Sequence, residues 1–224
     1  MSGSAQAQAP SLFATFSQSF QTPSFVFSTS GGGASLSLPT PIPVSFQYQT
    51  VNGLGTGVGE SVPASLTMSS LDGGAAFMDT SFLVQPLKNI EMRFTSLGAP
   101  TDSGDLLRVY LTTGNLIARP GGQTARLTGT ESATGNSIVN FDSDYLDFSQ
   151  PLVNKNFAVS FTSVAPDISD GGNGFLAPFM ATATGNFGSA PLPPPKNRIP
   201  EPGTLVLAVL GGLALAHRRK SVSP

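Results

Sequence analysis

The chain has 224 residues, of which 11% are charged, with 11 Lys and Arg against 13 Asp and Glu and a formal net charge of −2. A typical globular chain is about a quarter charged, and phosphate-rich partners call for a surplus of cations, so nucleic-acid binding is disfavoured. Cysteine is absent, which removes disulfides, thiolate metal sites and cysteine nucleophiles together.

In chain order, Met1-Ser2-Gly3-Ser4 offers neither the basic start nor the apolar stretch of an export signal. Ala5-Gln6-Ala7-Gln8-Ala9-Pro10, in contrast, has the small-residue texture that ends one. The expectation is that residues 1–10 are the remnant of a cleavage region and that the true start lies upstream. From Ser11 onward, short apolar alternations are separated by turn residues. Phe25 and Phe27 share a face, as do Leu36 and Leu38 beyond Gly31-Gly32-Gly33, and Val44, Phe46 and Tyr48 alternate after a proline cluster. Residues 53–59 are too glycine-rich for a regular element and read as a long loop. Ala64, Leu66 and Met68 form the next strand, closed by Asp72-Gly73-Gly74.

Phe82 and Val84 follow, then Ile90, Met92 and Phe94, with Lys88-Asn89 expected to turn the chain between them. Leu107, Val109 and Leu111 alternate again. Gly114-Asn115 then stands between two apolar runs, a two-residue hairpin signal, and a hairpin is expected there. Further strands hold Ala125 and Leu127, then 138–141, then Phe157, Val159 and Phe161. A loop at 167–174 precedes a last strand or bent pair within 175–187, and the prolines of 191–195 read as a stiff, extended spacer.

No segment of this body carries a sustained apolar stripe of period 3.6, so little helix is expected. About ten short strands punctuated by Gly, Pro, Ser and Asn predict an all-β fold, an antiparallel β-sandwich or jelly roll. Residues 11–190 suit one domain, with 191–199 as linker. No fixed-period repeat is present, which argues against a propeller or β-helix.

The chemistry readable from side chains is sparse. The lone histidine is His217, far from the body, so a Ser-His-Asp system in residues 11–190 is impossible. Zinc is disfavoured for want of sulfur and imidazole ligands. Asp142, Asp144 and Asp147 fall within six residues and are candidate Ca²⁺ ligands through oxygen. The EF-hand spacing fails, since Asp147 and Val153 stand where Gly and Glu belong. Asp167, Asp170 and Asn173 form a looser second group. For both, acids that mark turns are the ordinary reading. A glycosidase needs only two carboxylates, but the sequence does not say which two. There is no Trp, and three Tyr stand against sixteen Phe; the alternating Phe fit a core better than a sugar-stacking surface.

Residues 204–216 carry no charge. As a helix they would span roughly 20 Å, short for a hydrocarbon core of about 30 Å unless the flanks contribute. Leu205, Val206, Leu207, Val209, Leu210, Leu213 and Leu215 supply the apolar side chains, and Pro202 suits the helix start. Arg218, Arg219 and Lys220 follow at once, which orients the basic end to the cytoplasm by the positive-inside rule. A short C-terminal transmembrane helix is the expectation.

Pro200-Glu201-Pro202, a short apolar helix and an Arg-rich end together resemble the PEP-CTERM sorting signal of bacterial surface proteins. The resemblance implies an exosortase as processing partner, cleavage near Pro200, Glu201 and Pro202, and transient residence in the inner membrane. It also implies release of the body to the cell surface or to an exopolysaccharide matrix. Two inner stretches, 141–149 with 156–161, and Gly185-Asn186-Phe187-Gly188, are similar to segments of the same class of proteins. The leading expectation is thus a non-enzymatic surface or matrix protein with no cofactor. Alternatives are a carbohydrate-binding module, Ca²⁺-assisted through Asp142, Asp144 and Asp147, a secreted hydrolase, or a permanent single-pass anchor. An in-frame apolar stretch in the upstream DNA is the expected finding at the other end of the gene; an immediate in-frame stop codon there removes the signal-peptide reading.

Overall fold

A computed structural model of the chain describes residues 9–30, 32–49, 61–98, 104–131, 137–194 and 196. Residues 1–8 of the proposed cleavage remnant at 1–10, the glycine loop at 53–59 and the whole of 200–224 lie outside the described residues. Among those described, every regular element is a strand. They run β1 (Ser11–Gln18), β2 (Phe25–Ser30), β3 (Gly33–Ser37), β4 (Ile42–Tyr48), β5 (Ser61–Asp72), β6 (Phe77–Asp79), β7 (Phe82–Ser96), β8 (Asp105–Ala118), β9 (Ala125–Thr130), β10 (Val139–Asp142), β11 (Val153–Ala165) and β12 (Phe179–Ala190). No helix among the described residues is long and apolar enough to cross a membrane.

All pairings are antiparallel and join the twelve strands into one sheet. Its order is β1-β4-β5-β7-β8-β9-β11-β12-β2-β3, with β6 on β7, β10 on β8, and β1 paired a second time, to β12. That last pairing closes the path through β1, β4, β5, β7, β8, β9, β11 and β12 into a circuit. The outer edge of β12 is shared: β2 takes Phe179–Ala181 and β1 takes Thr184–Ser189. Closure matters because an open sheet leaves a row of unpaired N–H and C=O groups at each edge.

The alternation seen in the sequence sets which way each strand faces. In β4, Ile42, Val44, Phe46 and Tyr48 are buried while Pro43 is exposed, and in β8 Leu107, Val109 and Leu111 turn inward while Arg108 and Tyr110 turn out. The inward rows converge on one continuous core. Twelve of the sixteen Phe are buried in it, from Phe13 and Phe16 to Phe179 and Phe187. Phe94 packs edge to face on Phe187 with centroids 5.6 Å apart, and Phe16 and Phe46 lie 5.0 and 5.1 Å from Phe94. Phe157 and Phe141 complete the group against Phe187. These twelve Phe are core, as their alternation predicts, while Phe20, Phe77 and Phe82 are exposed.

Two turns expected from the sequence are not turns. Gly114-Asn115 sits inside β8, which runs unbroken past it along β7. The glycine is needed for close packing: a Cβ there would stand 2.8 Å from Ile90 Cδ1 and 2.9 Å from Leu111 Cδ2. Lys88-Asn89 likewise lies within β7, where Asn89 takes a left-handed φ of 49°. Its effect is a bulge against β5, the register slipping between Ser69 and Leu71, while pairing to β8 continues. Two strands, β1 and β6, had no separate signal in the pattern. The expected proline spacer is in part docked: Pro193 is buried and Leu192 packs against the core.

Gly185 lies opposite Phe16 across the β1–β12 pair. A Cβ at Gly185 would meet Phe16 Cε1 at 2.3 Å and the Ala158 carbonyl oxygen at 3.1 Å, and Phe16 is itself wedged against Phe94 and Phe187. Gly185→Ala is therefore expected to cost about 1–3 kcal/mol through overpacking, read as a Tm lower by roughly 2–12 °C. Thr184→Val, one residue away on the solvent side, should stay within about 0.5 kcal/mol.

Candidate functional site

Of the acids singled out in the sequence, Asp142 ends β10 and Asp144 and Asp147 lie on the loop that follows it. They are not brought together as ligands. Asp142 Oδ1 accepts the Ser143 N–H at 2.9 Å, Asp147 Oδ1 accepts the Ser149 N–H at 2.9 Å, and Asp144 Oδ2 accepts the Asp105 N–H at 2.7 Å. Among the described residues no group of three or more His, Cys, Asp or Glu is placed to hold a metal ion. The Ca²⁺ site expected from Asp142, Asp144 and Asp147 thus has no geometry behind it. Asp142 and Asp147 turn an oxygen to the next residues of their own turn, the ordinary use of Asp at turns, and Asp144 reaches across to the main chain at the start of β8. The looser group behaves alike: Asp170 accepts the Gly172 N–H, Asn173 the Phe175 N–H, and Asp167 a hydrogen bond from Gln123.

What the loop does instead is organise an ion cluster that the sequence did not signal. Asp105, at the start of β8, is buried. Its Oδ1 accepts Arg93 Nε at 2.6 Å, and its Oδ2 pairs with Arg108 Nη2. Thr95 Oγ1 adds a hydrogen bond at 3.3 Å. The Asp105 carbonyl accepts the Asp144 N–H at 2.9 Å, so Asp105 and Asp144 hold each other through main chain and side chain. Burial by itself raises the Asp105 pKa, but hydrogen bonds and attraction from the two guanidiniums outweigh it, and the carboxyl titrates below its usual range. The same contacts raise the Arg93 pKa. Hydrogen bonds from Ser149, side chain before backbone, and the charge of Lys196 lower the Asp147 pKa.

Ser143 ties this cluster to the core and to the end of the body. Its Oγ accepts the N–H groups of Tyr145 and Leu146 at 3.0 and 3.2 Å, and Tyr48 donates its buried hydroxyl to the Leu106 carbonyl. The segment after β12 then folds back onto the loop. The Asp147 N–H donates to Pro194 O at 2.8 Å, the Lys196 N–H to Tyr145 O at 2.8 Å, and Lys196 Nζ to Ser143 O at 2.6 Å. This loop is a docking station for residues 191–196.

A second feature lies on the outside of the sheet. An open trough of about 1010 Å³ runs over the outer faces of β9, β11 and β12 and the end of β8. Its floor is Thr128, Thr130, Asn156, Ser160, Thr162 and Asn186, and Arg126, Arg119 and Phe82 stand at its sides. These residues carry no signal in the sequence, because strand alternation says which side chains face out but not which of them come together on neighbouring strands.

In comparisons with known proteins, no family model, no curated protein and no solved structure matches this chain. The proposed tail residues, Pro200, Glu201 and Pro202 with the apolar run and its cations, lie outside the described residues.

The depressed Asp105 pKa has a sign that can be tested. The unfolded chain takes up the proton first, so stability from this carboxylate is full above about pH 4 and is lost as pH falls through the lower folded value. Asp105→Asn should lower stability at pH 7 by on the order of 1–2 kcal/mol, modest because both arginines are about half exposed. It should also flatten the fall in Tm below about pH 4, measured by thermal melts across pH 2.5–7 in steps of about half a unit.

Proposed function

We propose that the chain is an exported, non-enzymatic cell-surface or exopolysaccharide-matrix protein, held at the membrane by a sorting signal in residues 200–224 and released by an exosortase. The observation that carries this is the order of residues in that segment: Pro200-Glu201-Pro202, an apolar run through Leu205, Leu210 and Leu215, then Arg218-Arg219-Lys220. In this reading the first three are recognised near the scissile bond. The run enters the bilayer, and the cations stop transfer at the cytoplasmic face.

The body lends support in two ways. Its closed sheet, which we read as a β-sandwich whose walls meet through one layer of phenylalanines, is held by apolar packing and a hydrogen-bonded circuit in a chain with no cysteine. Such a body has no edge strand of the closed circuit left to pair with neighbours after release. The last described residue, Lys196, is tied to the 143–147 loop through Nζ and through its N–H. Lys196 stands four residues before Pro200 in the chain.

The test is the intact mass of the native protein recovered from its own cells, with the fraction recorded. The expected product lacks everything beyond the Pro200–Pro202 region and is found outside the cell. Replacing Pro200, Glu201 and Pro202 together by Ala should leave the tail in place and the protein in the membrane fraction. A native protein that keeps its tail in the membrane is a permanent anchor, and one that keeps it in the cytoplasm is not a sorted protein; either result overturns the proposal.

A further inference from the structure

The outer trough over β9, β11 and β12 carries a charge unlike that of the chain around it. The chain as a whole has more acids than bases, 13 against 11, yet two arginines and no carboxylate line this trough. Arg126 projects from the outer face of β9, directly opposite Ser160 in the pairing of β9 with β11. No carboxylate among the described residues pairs with it, the ion pairs there being Asp105 with Arg93 and Arg108, and Glu131 with Lys155. Arg119 follows the end of β8, and its guanidinium carbon lies 5.8 Å from the centre of the Phe82 ring. Stacking of this kind fixes the plane of the guanidinium and leaves its N–H groups free to bind.

Glu131, the residue that follows β9, is paired with Lys155 at 3.1 Å.

The floor has a matching chemistry. Cross-strand register aligns Thr128 with Ala158 and Ala158 with Asn186, and in the next row Arg126 with Ser160 and Ser160 with Thr184. Thr128 and Asn186 thus stand about 10 Å apart with Ala158 between them, and Ser160 lies about 5 Å from Arg126 on one side and from Thr184 on the other. From Arg126 to Thr130 the trough extends roughly 13 Å along β9. Groups that both donate and accept, set on a rigid sheet, suit a ligand rich in hydroxyls. Forked guanidiniums suit carboxylates. Two cations in a chain of negative net charge fall well short of what a nucleic-acid backbone calls for.

We propose that this trough binds an acidic polysaccharide, with Arg126 and Arg119 receiving carboxylates of uronate residues while the threonine, serine and asparagine side chains hold sugar hydroxyls. Phe82, with its ring exposed beside Arg119, closes one end. This inference stands on the trough alone and does not depend on the sorting signal.

The test is affinity electrophoresis of the full chain in neutral detergent, through native gels carrying polygalacturonate or neutral dextran. A single-stranded oligodeoxynucleotide serves as the competing polyanion. The expected result is retardation by polygalacturonate, none by dextran, and no displacement by the oligonucleotide at equal charge. Arg126→Gln should weaken retardation by about tenfold or more, the loss of a charge-assisted hydrogen-bond pair. Arg126→Lys should recover only part of it, because the ammonium keeps the charge but not the fork. Lys88→Gln, outside the trough, should leave it unchanged, and matching melting temperatures will show that each variant is folded. Failure of polygalacturonate to retard the chain overturns the proposal. So does equal retardation by dextran, full displacement by the oligonucleotide, or wild-type binding by Arg126→Gln.

Discussion

Phe94 and Phe187 meet edge to face inside the sheet, and the rest of the body is arranged so that they can. They come from β7 and β12, strands far apart in the chain, and each is reached by rings from others: Phe16 from β1, Phe46 from β4, Phe157 from β11 and Phe141 from β10. Aromatic side chains bring a large apolar area and a preference for edge-to-face or offset contact. A layer of them can be packed dry only if the sheet wraps around it. The pairing of β1 with β12 completes that wrap, and glycines opposite the rings, Gly185 at Phe16 and Gly129 at Phe157, make room for them.

The same demand explains the polar cluster at one end. Where the closed sheet runs out, the start of β8 and the loop after β10 would leave backbone groups buried beside apolar rings. Asp105, Asp144 and Ser143 satisfy them, and Arg93 and Arg108 neutralise the buried carboxylate of Asp105. A buried charge left alone is expensive, whereas one gripped by two guanidiniums at the surface is tolerable. The chain beyond β12 uses this finished end as its resting place. Packing, electrostatics and the route toward the C-terminal segment are therefore linked through one loop.

The outside of the sheet follows from the inside. Once the apolar rows are committed inward, the alternate positions carry Thr, Ser and Asn outward, and on β9, β11 and β12 these line the trough. Arg119 and Arg126, seven residues apart in the chain, flank it because β8 and β9 are joined by a short connection and lie side by side.

The sequence by itself determined the fold class, the low helix content of the body and most of the core. Period-two alternation around Phe25, Phe46, Leu107 and Phe157 needs no partner to be read, because in a strand it states directly which side chains share a face. Composition by itself also limited the chemistry, since cysteine is absent and the single histidine lies in the tail. Only the tertiary structure decided that Gly114 and Asn89 lie inside long strands. A glycine kept for close packing and one that turns the chain look the same in one dimension. Only the structure showed that Ser11–Gln18 closes the sheet, that Asp142 and Asp147 serve their own turns while Asp144 holds the start of β8, and that Asp105 is the carboxylate with partners from β7 and β8. Those facts depend on which strands become neighbours, and neighbours far apart in sequence are chosen by the packing of the whole core, not by any local pattern.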